Sequence, residues 1–150
     1  MIAEFLSNDN IITDLNARTK EDAIKEFIEV GVRLGKITDG TSFFQKVMEK
    51  ENLSSSGLEH GIAIPHLRDD CVEDLFILIG ISRKGIDFQA IDSSASKILF
   101  FIGAKKNDKR YLPILARISR LMMDEDNRDD ILEAANAGEI VDLIAEREQI

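Results

Sequence analysis

Residues 54–66, SSSGLEHGIAIPH, gather the residue types in this chain that could carry chemistry. Three hydroxyls (Ser54, Ser55, Ser56) and two glycines (Gly57, Gly61) precede a short apolar run, Ile62–Ile64, and then Pro65 and His66. Glycine lets backbone approach a ligand closely, and successive free N–H groups in such a turn form an anion-binding concavity. A histidine at the end of a stiff apolar strand can attack and carry a phosphoryl group. That chemistry needs a neutral imidazole, with one nitrogen attacking while the other donates its hydrogen to a fixed acceptor. Pro65 locks the backbone just before that residue. A histidine after a proline is also an ordinary turn residue, and the local pattern leaves both readings open.

The only other histidine, His60, lies six residues upstream and is either an auxiliary to His66 or an exposed turn residue. A metal reading would combine His60, His66, Asp69, Asp70 and Cys71, but their spacings match no standard zinc pattern. No metal is therefore expected.

The flanking elements are legible from periodicity. Ile11-Ile12 suggests a short strand, followed by a polar turn over 14–18. Thr19 is placed as an N-cap with Asp22 three residues on, and Ala23, Ile24, Phe27, Ile28, Gly31 and Leu34 follow at helical spacing until Gly35. A second helix starts after Asp39, buries Phe43, Phe44, Val47 and Met48, and runs out near Lys50-Glu51 at the edge of the serine-glycine turn. The runs 75–82 and 97–104 read as strands covered on both faces, with a turn at Arg83-Lys84-Gly85 and a loop at 93–96. A helix over 109–123 holds Pro113 in its first turn and points Leu112, Leu115, Ile118, Leu121 and Met122 inward. Asp124–Asn127 caps a short helix, and Gly138 separates it from a last one bearing Ile140, Leu143 and Ile144. The expected fold is α/β: a single-domain sandwich over 1–150, with a central mixed β-sheet of about five strands flanked by helices on both faces.

Composition fits that expectation and excludes some functions. The 150 residues are 44% hydrophobic and 31% charged, as in soluble globular domains. A formal net charge of −9 argues against nucleic-acid binding and suits a partner with a basic face. No apolar run is long enough to span a membrane, and the N-terminus lacks the basic and apolar regions of a signal peptide. The single cysteine, Cys71, has no internal partner, which points to a reducing cytoplasm.

GIAIPH at 61–66, with Lys50-Glu51 upstream, Gly85-Ile86-Asp87-Phe88 downstream and the helix start Thr19-Lys20-Glu21-Asp22-Ala23, resembles the EIIA domain of the mannitol/fructose type. That family belongs to the bacterial phosphoenolpyruvate-dependent sugar phosphotransferase system and includes its nitrogen-regulatory branch. The resemblance covers nearly the whole chain. It implies that His66 receives a phosphoryl group from an HPr-type phosphocarrier protein and passes it to an EIIB-type domain or uses it to regulate a target protein. No cofactor is implied. Ser55, Ser56 and Gly57 match a Ser-Thr-Gly segment that would hold phosphate oxygens. Two positions depart from the family pattern: Lys50 stands where arginine is usual, and Tyr111 where a second histidine is usual. Lysine is a point charge rather than a two-pronged donor, and tyrosine brings no positive charge at neutral pH. Losing one charge-assisted bond to an anion costs on the order of 1.5–3 kcal/mol. The departures leave open a regulatory binding protein with weak or no phosphotransfer. They equally leave Lys50 as a solvated helix end and Tyr111 as a packing residue.

Overall fold

Two long apolar strands form the centre of the molecule, described by a computed structural model for residues 1–149. β4 (Phe76–Ile86) and β5 (Ser96–Ala104) pair antiparallel, with Phe76 opposite Gly103 and Ile81 opposite Ile98. Side chains alternate between the faces of a strand. Ile77, Ile79, Ile81, Ile98, Phe100 and Ile102 therefore enter one core, while Phe76, Leu78, Leu99 and Phe101 enter the other. Both faces are covered, which is why the two runs read as unbroken apolar sequence. β1 (Ile11–Ile12) adds parallel to β4, and β2 (Ile62–Ala63) and β3 (His66–Arg68) add parallel to β5. The result is a five-stranded mixed sheet in the order β1-β4-β5-β2, with β3 continuing along β5.

α1 (Lys20–Arg33) and α2 (Gly40–Leu53) cover the phenylalanine-rich face. There Phe27 stacks on Phe101 at 5.3 Å and Phe43 meets Phe101 edge-on at 5.9 Å. α3 (Tyr111–Met122), α4 (Glu125–Glu133) and α5 (Ala137–Arg147) cover the opposite face. Each fully buried large apolar side chain contributes about 1.5–3 kcal/mol, so the two cores rather than local helix preference hold the layers together. Local signals set the boundaries. The Thr19 hydroxyl accepts the Asp22 N–H at 3.2 Å, and Asp39, Asp124 and Asn136 cap their helices in the same way. α1 ends in a Schellman motif: Gly35 takes φ +74° and the Lys36 N–H reaches the Gly31 carbonyl at 2.8 Å.

Four local expectations are corrected. Arg83-Lys84-Gly85 is not a turn but the far end of β4, where the ladder shifts register between Ile81 and Ile86. Gly85, at φ +82°, marks this irregularity. Leu112 is 61% exposed; the inward stripe of α3 is Tyr111, Ile114, Ile118, Leu121 and Met122, so Leu112 sits about 100° off it. α2 continues to Leu53, which places Lys50 and Glu51 in its last turn. Gly138 lies inside the first turn of α5 because Asn136 already caps that helix by accepting from the Glu139 N–H at 3.0 Å. Among the described residues, no helix is long and apolar enough to cross a membrane.

Candidate functional site

His66 opens β3 on the outer edge of the sheet, directly after the break at Ile64-Pro65. The Ile102 N–H still reaches the Pro65 carbonyl at 3.1 Å, so the edge chain stays attached to β5 through the break. Four backbone groups of this chain that do not face β5 are taken up by groups other than the backbone of a named strand. The Ile62 carbonyl accepts the Leu58 N–H at 2.8 Å, and the Ile64 N–H bonds the Ser56 carbonyl at 3.1 Å. The Ile64 carbonyl bonds His66 Nδ1 at 2.5 Å, and the His66 carbonyl accepts from Lys50 Nζ at 3.0 Å.

The bond to Ile64 fixes the imidazole. A carbonyl can only accept, so Nδ1 carries the hydrogen and Nε2 presents its lone pair. Among the described residues, nothing is hydrogen-bonded to Nε2. Burial pushes the His66 pKa below its ordinary value; the Ile64 bond pulls it up, and the nearby Lys50 charge pushes it down again. The half-buried ring is therefore neutral at pH 7, as nucleophilic attack requires.

The turn over 55–61 departs from an open anion cradle, because its N–H groups are largely used internally. The Ser56 N–H goes to Glu51 Oε1 at 3.2 Å and the Gly57 N–H to the Ser55 hydroxyl at 3.0 Å. The N–H of His60 goes to Asp92 at 2.9 Å and that of Gly61 to the Ser94 hydroxyl at 3.2 Å. Ser55 donates its one hydroxyl hydrogen to the Phe88 carbonyl, so that hydroxyl serves the turn. The Ser56 hydroxyl is buried without a partner among the described residues. A Cβ on Gly57 would lie 2.9 Å from both the Phe88 carbonyl and Ala90 Cα, so glycine is needed for this close approach. In this arrangement Ser55, Ser56 and Gly57 hold the chain that holds Ile64, and Ile64 orients His66.

Other elements complete the surroundings. Glu51, almost fully buried, joins Lys20 of α1 at 3.1 Å to the Ser56 N–H, which ties both helices of one layer to the turn. Lys50 is half-buried; burial lowers its pKa, Glu51 raises it and Arg68 lowers it. Tyr111 is only 3% exposed, with its ring centroid 5.9 Å from that of His66 and its hydroxyl unpartnered among the described residues. Burial raises its pKa well above the ordinary phenol value, against a smaller lowering by Arg68. Arg68, which the sequence alone did not single out, places its guanidinium carbon 4.8 Å from the centre of the Tyr111 ring. The signal that could have found it is the spacing His66-Leu67-Arg68, since residues two apart on a strand share a face.

His60 lies apart from this group. It is exposed, adopts φ 63°, and faces Glu59 at 3.7 Å. Just past β3, Asp69 accepts from Lys46 at 2.6 Å and from the Cys71 N–H at 3.0 Å. The Cys71 thiol is pushed up to about 11 by burial and by Asp69. Among the described residues, no three histidine, cysteine or acidic side chains are gathered so as to hold a metal ion.

Comparison with known proteins identifies the family and the fold. The family described as phosphoenolpyruvate-dependent sugar phosphotransferase system, EIIA 2, matches residues 4–147. The fructose-specific EIIABC component of the phosphotransferase system of Bacillus subtilis is 31% identical over 149 residues, or 99% of this chain. The chain spans only 24% of that protein's length. Among solved structures, nitrogen regulatory protein IIA-Ntr from Neisseria meningitidis superposes with a TM-score of 0.89 at 22% identity, covering 95% of this chain and 98% of that one. Enzyme IIAMTL of Escherichia coli, solved in complex with phosphorylated enzyme IIBMTL, superposes with a TM-score of 0.82 at 22% identity, covering 94% and 97%. These two structural likenesses are likenesses of fold.

Proposed function

The chain belongs to the EIIA 2 family of the phosphoenolpyruvate-dependent sugar phosphotransferase system, and from that premise we propose that residues 1–150 act as one cytoplasmic phosphocarrier unit with His66 as the acceptor. The phosphoryl group comes from a phosphohistidine on an HPr-type protein. The His66 Nε2 lone pair forms the new P–N bond as the donor's P–N bond breaks, and the donor nitrogen keeps the electron pair. Proximity, a free ring nitrogen and charge stabilisation supply most of what such a transfer needs. The observation that carries this reading is the His66 Nδ1 bond to the Ile64 carbonyl at 2.5 Å. It keeps Nε2 as the nucleophile, and it stabilises the positive charge the ring acquires as phosphorus bonds. A phosphoimidazole still protonated at Nδ1 is a good leaving group, suited to passing the phosphoryl on to an EIIB-type partner. The net charge of −9 suits partners with basic docking faces.

A second reading, a regulatory protein that docks a target with little or no transfer, is favoured by Lys50 and Tyr111. The lysine is engaged with the His66 carbonyl and the tyrosine hydroxyl is buried. One experiment decides between them. Incubation with phosphoenolpyruvate, enzyme I and an HPr-type protein should give an acid-labile, base-stable adduct. His66→Ala should abolish it, His60→Ala should leave most of it, and Tyr111→His should raise its rate or yield. If the wild type stays unmodified while Tyr111→His is labelled, the regulatory reading wins.

A further inference from the structure

One charged side chain beside His66 has no role in the account above. Arg68 follows His66 by two residues on β3, so both side chains leave the strand on the same face. Its guanidinium stands over the Tyr111 ring at 4.8 Å, and the same ring lies 5.9 Å from the imidazole. Tyr111 therefore lies against both groups. Arg68 is exposed, and among the described residues no carboxylate lies within 4 Å of it and no hydrogen bond holds it. The acid on this side of the molecule, Glu51, is already paired with Lys20 at 3.1 Å. Lys50, the other cation, is held at 3.0 Å on the His66 carbonyl and is repelled by Arg68. Two like charges thus flank a neutral ring, an arrangement that an arriving anion would relieve.

We propose that Arg68 is the principal phosphoryl-binding cation of this site, its planar fork donating to two non-bridging oxygens of the group carried on His66 Nε2 while the Tyr111 ring holds the guanidinium in place. This rests on the phosphocarrier reading and assigns to Arg68 the charge neutralisation that Lys50 supplies only in part. Arg68 moves no proton. It donates N–H bonds that shorten as the phosphoryl group approaches Nε2, and such paired donors are the geometry guanidinium is built for. The Tyr111 hydroxyl has no part in this; the ring alone is the platform.

The test uses the full chain as wild type, Arg68→Gln and Arg68→Lys. Each is labelled by two donors: phosphorylated HPr-type protein, and phosphoramidate, a small molecule that needs no docking surface. Phosphohistidine formation is followed by 31P NMR. Arg68→Gln should slow labelling by roughly 10- to 100-fold with both donors, the loss of one charge-assisted contact. Arg68→Lys should fall between it and wild type. Sulfate should inhibit labelling of the wild type more strongly than that of Arg68→Gln, a difference that a merely structural arginine would not produce. Equal labelling of wild type and Arg68→Gln overturns the role of Arg68 and leaves the phosphocarrier reading standing. Labelling of the wild type by phosphoramidate alone, with Arg68→Gln slow, keeps Arg68 and overturns protein-to-protein transfer. No labelling by either donor overturns both.

Discussion

At His66 one hydrogen bond selects which nitrogen presents its lone pair, and burial keeps that nitrogen unprotonated. Because desolvation penalises the charged form, the pKa lies below the ordinary 6.5. Phosphoryl acceptance should therefore stay level as pH falls through that value and decline only below it. An NMR titration of the His66 ring should give a midpoint under 6.5, and a midpoint above it would contradict the account of the site. His66 was legible in the sequence because its neighbours, two glycines and a proline, are the residues a special backbone demands. The roles of Ser55, Ser56 and Gly57 were not. Whether an N–H in a turn is free depends on acceptors from elsewhere in the chain, here Glu51, Asp92 and Ser94. Arg68 was hidden for a related reason: the strand over 66–68 is too short to show in the sequence, and with it the alternation that puts Arg68 beside His66.

Among the elements, the 55–61 turn is the one on which His66 depends most. It is pinned to the loop at 88–90, where a Cβ on Gly57 would come within 2.9 Å of backbone. Gly57→Ala should cost about 1–3 kcal/mol in urea unfolding, because backbone cannot yield as a side-chain end can. It should also slow phosphoryl acceptance although no group near Nε2 has changed. Normal stability with normal transfer would show that the turn does not orient His66. The helices and the two central strands were readable from spacing and capping residues. The errors fell where two signals compete. Gly85 reads as a turn glycine but sits at the irregular end of a strand, and Leu112 reads as core but lies one residue off the buried stripe. Only the contact surface of a helix, not its composition, decides such a residue.

For the molecule as a whole, the acid limit of stability should be set partly by Asp69. Burial works against its charge, yet the Lys46 ammonium at 2.6 Å and the Cys71 N–H hold its pKa at about 2. A carboxylate depressed in the folded state stabilises above its unfolded value and loses that stabilisation as pH falls through the folded one. Stability should thus decline between the ordinary 3.8 and about 2, and Asp69→Asn should flatten that part of a denaturation series. Overall architecture was the most legible level, since two doubly covered strands with helices before and after leave few arrangements. The capped outer edge has one further consequence. An open sheet edge is a template on which another chain can add a strand, and here the groups that close it include His66 and Lys50 themselves. The proposed phosphoryl site would then double as a guard against self-association. His66→Ala with Lys50→Ala exposes two successive acceptors, the carbonyls of Ile64 and His66, and should give concentration-dependent oligomers in light scattering where either single variant gives fewer.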